Sequence, residues 1–338
     1  MLARCLIALL ALELGLYVLA GAWIASAFGA SIALCLLLAL LTALVLRMLQ
    51  VSVTFALAHR FRAEMPAEAH LTRSGAIAVF FGEFLAFTAL FTLLQPLARW
   101  FAPRSVLSAA DAAPPVVLIP GIYCNAAVWW SIKRRLASCG MKNLVAVTPE
   151  PPLASIDVLA HQLAKEIEQV CEETRASQVV LVGHSMGGLI ARAYLRAHGA
   201  ARVARVITLG SPHHGSALAR LAIGADGAQL RPGNPWLAAL NAAEQAAPPL
   251  PMVSLFTWHD NFIAPQDSPI LAHATNIPFV GVGHLTLLFS AAVAQRLYDE
   301  IRAGVTRLPS STLSRPGEPK TKAGNAEDAE EERRGRGG

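Results

Sequence analysis

The chain has 338 residues, 54% hydrophobic and only 15% charged, where an ordinary soluble domain carries about a quarter charged residues. That apolar excess excludes a wholly disordered chain and argues against one bathed entirely in water. The net charge of +5 does not point to nucleic acid, because the basic residues are dispersed and never interleaved with aromatics as on a binding face.

The apolar residues concentrate at the front. From Cys5 to Phe28 the only charge is Glu13, and 24 helical residues span about 36 Å, more than the roughly 30 Å hydrocarbon core. A second run starts at Ala30 and is uncharged to Leu46, leaving Gly29-Ala30-Ser31 as a tight hairpin turn. A third, Gly75 to Ala98, carries Glu83 alone. The first run is too long for the apolar part of a signal peptide, and more such runs follow. The pattern predicts three membrane helices, near 5–28, 30–50 and 75–98.

Arg4 precedes the first span and Arg47, Arg60, Arg62 and Arg73 flank the second connection, while the first hairpin has no basic residue. The positive-inside rule then places the N-terminus in the cytoplasm. Three crossings would carry everything after Ala98 to the other side, the periplasm of a multi-pass protein of the inner membrane. Charges inside a bilayer are costly and usually paired, so Glu13, Arg47 and Glu83 are expected either to form one cluster or to stand as a snorkelling Arg47 with protonated glutamates.

Residues 99–115, with Pro103, Pro114 and Pro115, read as a linker. The end, 308–338, is rich in Ser, Pro, Gly and both charge signs; too little apolar surface is present to offset ordering entropy, so it reads as a disordered tail.

Between them, 116–307 alternates. Val116–Ile119, Leu144–Thr148, Val179–Val182 and Val203–Leu209 are strand-like, and helical periods occupy 126–139, 155–174 and 188–198. Strands apolar on both faces and separated by helices imply a mostly parallel sheet covered on both sides, an α/β domain.

The chemistry falls at strand ends. Gly183-His184-Ser185-Met186-Gly187 joins a buried strand to a helix, and the sharp turn of a G-x-S-x-G elbow exposes the serine hydroxyl, making Ser185 the candidate nucleophile. Such a serine needs a base and an orienting carboxylate, in the order Ser, acid, His. Asp260 follows the strand-like Met252–Phe256, and His284 follows the apolar Phe279–Val282; these are the expected acid and base. Asp267 and Asp226 compete for the first role, His259 and His273 for the second. The Met186 amide and the Ile122 amide, beside Gly121, are the expected oxyanion donors.

Pro120-Gly121-Ile122, the stretch from Gly183 to Arg192, and Gly210-Ser211-Pro212-His213-His214-Gly215-Ser216 together resemble the bacterial triacylglycerol lipase and esterase branch of the α/β-hydrolase superfamily. The resemblance covers about 116–303. It implies an α/β-hydrolase fold and carboxylic ester hydrolysis by Ser185, His284 and Asp260; this chemistry requires no cofactor, and no ligand set matches the calcium site of some secreted lipases, so no metal is expected. Two features depart from it: Pro120 replaces the histidine of an H-G oxyanion motif, and the apolar front is foreign to secreted lipases.

Residues 217–250, with Trp236, Leu237 and Leu240, either roof the site or pack as ordinary helices. A membrane anchor favours lipidic or medium-chain esters as substrate. A lipid alcohol replacing water would make the same site an acyltransferase; a membrane scaffold with a degenerate domain would lack a triad member, and none is missing. Cys124 and Cys139 would either pair in an oxidising compartment or remain separate thiols, and Cys5, Cys35 and Cys171 complete the set without any C-x-x-C spacing.

Overall fold

The computed structural model describes residues 1–102, 105–111, 113–246 and 250–306. The segment read as a disordered tail lies outside the described residues, as does part of the 99–115 linker.

Helix α1, Leu2–Phe28, stops at Gly29, whose positive φ of 65° suits a residue without Cβ. Ser31 then caps α2, Ile32–Arg60, its Oγ accepting from the Leu34 amide at 3.3 Å. The two helices form an antiparallel hairpin: the Cys35 thiol meets the Gly21 carbonyl, and Arg47 pairs with Glu13, which also accepts from the Tyr17 hydroxyl. At the open end the Met1 amino group reaches Glu150 of the α/β domain at 2.6 Å.

Helix α3, Arg73–Thr88, is capped by Thr72 and runs into a π-helical turn, Ala89–Leu94. These helices are all long and apolar enough to cross a membrane, but they differ in what covers them. The most apolar windows of α1 and α2 have no buried residue, whereas Ala86, Leu90 and Leu94 of the third run belong to the core of the α/β domain. The opposite stripe, Ile77, Phe81, Leu85 and Leu93, stays exposed. Both ends of the run lie against the α/β domain: Val79 and Phe80 line a cavity with Trp258 and His259, and Gln95 bonds Asn125. The Met1 contact sets the start of α1 beside the α/β domain. The expected cluster of three charges also divides, Arg47 taking Glu13 while Glu83 turns into the α/β domain.

After a short α4, Ala98–Phe101, six parallel strands form one sheet: β1 Val116–Ile119, β2 Leu144–Ala146, β3 Val179–His184, β4 Val203–Leu209, β5 Met252–Thr257 and β6 Ala274–Phe279, in the order β2-β1-β3-β4-β5-β6. Successive side chains alternate faces, so Val117 and Ile119 pack toward α6, Ile156–Thr174, and α7, Met186–His198. Val116 and Leu118 face α5, Trp130–Ser138, and α10, Ala291–Thr306, together with Leu90 and Leu94. Two small helices, α8 Gly224–Gln229 and α9 Pro235–Ala246, lie between β4 and β5.

One strand is displaced from its expected place. The apolar run Phe279–Val282 is mostly the loop after β6, and the strand itself is Ala274–Phe279, with Asn276 and Pro278 inside it. At the sheet edge β6 is only half covered, so its sequence is not the apolar string of the inner strands, and proline is tolerated there.

Candidate active site

The strand order reverses between β1 and β3, the position where open α/β sheets leave a crevice beyond their carboxyl ends. Ser185 leaves β3 there at φ 55°, in the left-handed region that costs an ordinary residue about 1–3 kcal/mol. The turn is held because the Ser185 amide donates to the Leu209 carbonyl at 2.8 Å and the Gly188 amide returns to the Ser185 carbonyl at 3.1 Å. Gly187 is required because a Cβ there would strike the Ile119 carbonyl. Across the crevice, a Cβ on Gly121 would stand 2.8 Å from Ser185 Cβ, so the loop after β1 lies directly against the nucleophile's turn. Ile122 lines the same cavity as Ser185, and Met186 opens α7, where first-turn amides lack helical acceptors.

Asp260 and His284 meet. The imidazole Nδ1 donates to Asp260 Oδ2 at 2.7 Å, while Oδ1 accepts from the Phe262 and Ile263 amides at 2.8 and 2.7 Å. Burial alone would push the His284 pKa down; the charge and hydrogen bond of Asp260, helped by Glu83, outweigh it and hold His284 above the usual histidine value. His184, equally buried and beside His284, is pushed well below that value by burial and by its neighbour's charge. It stays neutral, its Nε2 donating to the His284 carbonyl at 3.2 Å.

The other candidates stand elsewhere. Asp226 accepts from the Gly227 amide in α8, Asp267 is exposed, His273 lies 3.3 Å from Glu244, and His259 faces the cavity beside Trp258.

Sequence reasoning missed the residues that fix the His284 loop from outside the α/β domain. Glu83 is fully buried and accepts from the Leu285 amide at 3.1 Å, the Thr286 amide at 2.7 Å and the Thr286 hydroxyl at 2.8 Å. Thr54 of α2 accepts from Asn261 Nδ2 at 2.9 Å, and Asn261 Oδ1 accepts from the His284 amide at 3.3 Å. Gln266 donates to the Asp260 carbonyl at 3.1 Å and accepts from the Ala63 amide at 3.2 Å. The one signal available was a lone carboxylate in an otherwise uncharged run.

Ser185 and His284 share the walls of an apolar cavity of about 230 Å³ with Thr54, Phe91, Ile122 and Leu230. Its roof is the first part of the 217–250 insertion, through Leu218, Ala219, Leu221 and Ala222. The second part divides from it: Leu237 and Leu240 of α9 pack in the core beside α7, as ordinary helix packing.

Residues 114–261 match the α/β-hydrolase fold family. This part of the chain has the α/β-hydrolase fold. Its sequence is similar to a triacylglycerol lipase of Burkholderia plantarii, 34% identical over 131 residues, and to one of Pseudarthrobacter phenanthrenivorans, 35% identical over 116 residues. The alignments cover 35% and 31% of this chain and about a third of each relative, 35% in both cases. Among solved structures, the domain is similar in fold to the mature Bacillus licheniformis lipase BlEst2, with a TM-score of 0.52 at 18% identity, covering 60% of this chain and 96% of that one. Aspergillus fumigatus lipase B gives 0.53 at 17% identity, covering 61% and 57%.

Within the hydrolase domain the segment Gly210–Ser216 braces the site rather than lining it throughout. His213 is fully buried; its Nε2 meets Thr208 Oγ1 and its Nδ1 accepts from Arg192, both at 3.1 Å. Arg192, also fully buried, grips Glu244 and Asn241 behind the elbow helix. Ser216 donates to the Phe262 carbonyl at 2.7 Å and accepts from the Ala264 amide, which ties this segment to the Asp260 loop. Cys124 and Cys139 are separate thiols, and burial pushes the Cys124 pKa up to about 12.

Proposed function

We propose that the protein is a membrane-anchored serine hydrolase that cleaves carboxylic esters of lipidic or medium-chain type. The observation that carries this reading is the meeting of Ser185, strained outward at the elbow, with the Asp260-paired His284 on one apolar cavity. The similarity to triacylglycerol lipases supports the reaction class.

In this reading His284 Nε2 takes the Ser185 proton as Oγ bonds to the ester carbonyl carbon. The Ile122 and Met186 amides stabilise the tetrahedral oxyanion, and Asp260 fixes the imidazole tautomer and offsets its positive charge. Collapse breaks the bond to the alcohol oxygen, which leaves with the proton from His284. Water then gives a proton to His284 as its oxygen bonds to the acyl carbon; collapse breaks the bond to Oγ, which takes the proton back from His284, and the acid is released.

The cavity mouth favours a lipid surface. Leu221 and Ile223 are 69% and 67% exposed beside Tyr123, whose hydroxyl clamps the Ile223 backbone through both its amide and its carbonyl. Exposed apolar side chains around a site mark a surface that meets other apolar material.

The contact of Met1 with Glu150 favours a membrane placement different from the periplasmic one expected from three crossings. The α1–α2 hairpin inserts, and the hydrolase domain remains on the side of the N-terminus. Arg4, Arg60, Arg62 and Arg73 all lie toward that end and the 29–31 turn has no basic residue, so this side is the cytoplasmic one.

The test is hydrolysis of p-nitrophenyl esters of graded acyl length by the full chain in detergent, with Ser185→Ala beside it. Hydrolysis that the variant loses supports the reading. A folded protein that hydrolyses none and is not labelled at Ser185 by a fluorophosphonate overturns it.

A further inference from the structure

A second apolar cavity adjoins the catalytic one. About 420 Å³ in volume, it lies between α1, α2 and the third apolar run, with Leu6, Leu10, Leu46, Leu49, Phe87 and Phe91 among its walls. Phe91 belongs to the walls of both cavities, and the Phe87 ring lies tilted against it with centroids 4.9 Å apart. Phe91 sits in the π-helical turn Ala89–Leu94, a distortion of the helix that recurs at functional positions and here directs one side chain between two spaces.

Building on the ester-hydrolase reading, we propose that this crevice receives the acyl chain of a long-chain ester lipid drawn sideways from the bilayer, while its ester group lies at Ser185. Three observations carry the assignment. The catalytic cavity, at about 230 Å³, falls below the roughly 300–1,000 Å³ of ordinary small-molecule sites, so a long chain must extend beyond it. Past Phe91 the continuation is walled by leucines and phenylalanines, where burying each methylene yields about 0.8 kcal/mol. The outer surfaces of α1 and α2 beside the crevice are bare of protein, so in a membrane the molecules at its opening are lipids. The Glu13–Arg47 pair and Gln50 complete the lining and supply its polar edge. The occupant is therefore an amphiphile with an extended acyl chain, and Phe91 is a specificity-determining residue for chain length.

The experiment uses the full chain in mixed micelles and reads the ratio of kcat/KM for p-nitrophenyl palmitate to that for p-nitrophenyl butyrate. Leu49→Trp on α2 and, separately, Leu10→Trp on α1 fill the crevice from opposite walls; fluorophosphonate labelling of Ser185 confirms in each that the site has folded. A fall of tenfold or more in the ratio for both variants is expected, and Phe91→Ala should change the ratio in its own right by removing the shared wall. Labelled variants that keep the parental ratio overturn the crevice while leaving the hydrolase reading intact. Failure of the parent to hydrolyse either ester overturns the hydrolase reading, and this inference with it.

Discussion

Glu83, from the third apolar run, accepts hydrogen bonds from both the backbone amide and the hydroxyl of Thr286, at 2.7 and 2.8 Å, two residues beyond His284. A segment with the composition of a membrane helix thus holds the turn that presents the proposed base. It follows that the third apolar run is part of the structure around the proposed site rather than a separable segment.

Glu83→Ala should therefore weaken both stability and activity. The Leu285 amide would be left buried and the Thr286 amide half-buried without an acceptor, at about 1–3 kcal/mol for a fully buried unsatisfied group. A lowered Tm of the full chain in detergent, with reduced ester hydrolysis, is the expected outcome. Glu83→Gln, which keeps one acceptor oxygen, should recover part of both. An unchanged Tm for the alanine variant would contradict the buttressing role.

The pH dependence follows from the His284–Asp260 pair. A base must be neutral to accept the Ser185 proton, and His284 is held above the ordinary histidine value, so activity should rise with pH on the alkaline side of about 6.5. Asp260→Asn removes the charge that raises the imidazole, so the acid limb should move to lower pH. The same change should lower kcat by about 10⁴, as loss of the orienting carboxylate does in triads of this kind. A pH–rate profile of both proteins measures the two effects together.

Gly121→Ala tests the proposed oxyanion loop. The added methyl would stand 2.8 Å from Ser185 Cβ, too close to be accepted without displacing the loop after β1. A loss of about 10²–10³ in kcat is expected, comparable to removing one oxyanion donor. Tm measured alongside separates displacement of the site from loss of fold.

Arg192→Met should destabilise the domain without touching the cavity directly. Glu244 would keep its buried position after losing the guanidinium that grips it, and breaking a buried pair on one side costs about 3–5 kcal/mol. A matching fall in unfolding free energy is the check.

Membrane placement can be read from a native thiol. Cys139 is exposed on the hydrolase domain, so in a Cys5→Ser background a membrane-impermeant maleimide should label it in inverted vesicles and not in spheroplasts. Labelling in spheroplasts would place the domain on the other face.

Much of the hydrolase domain was legible because its signals are local. β1 and the first four residues of β3 are short, wholly apolar runs rich in valine, and the glycines at 183 and 187 mark the strand-to-helix turn that the structure shows at Ser185. Asp260 and His284 were recognisable as the pair that meets because each follows a strand and so arrives at the same end of the sheet. The partition of the apolar front was not legible. Leu90 and Leu94, buried in the hydrolase core, and Leu85 and Leu93, exposed on the same run, are chemically identical residues, and hydropathy cannot tell protein from lipid as their surroundings. Glu83 is illegible for the same reason: a carboxylate in an apolar run asks for a partner, and its partners include backbone amides 202 and 203 residues away, which carry no sequence signature.

Ser185 is the proposed nucleophile of an ester hydrolase whose site is bordered by residues of the apolar front. The most direct measurement is fluorophosphonate labelling and p-nitrophenyl butyrate hydrolysis by the full chain in detergent, with Ser185→Ala as its pair. A covalent adduct on Ser185 and turnover, both lost in the variant, are the expected result. A folded parent protein with neither, or hydrolysis that survives in Ser185→Ala, would contradict it.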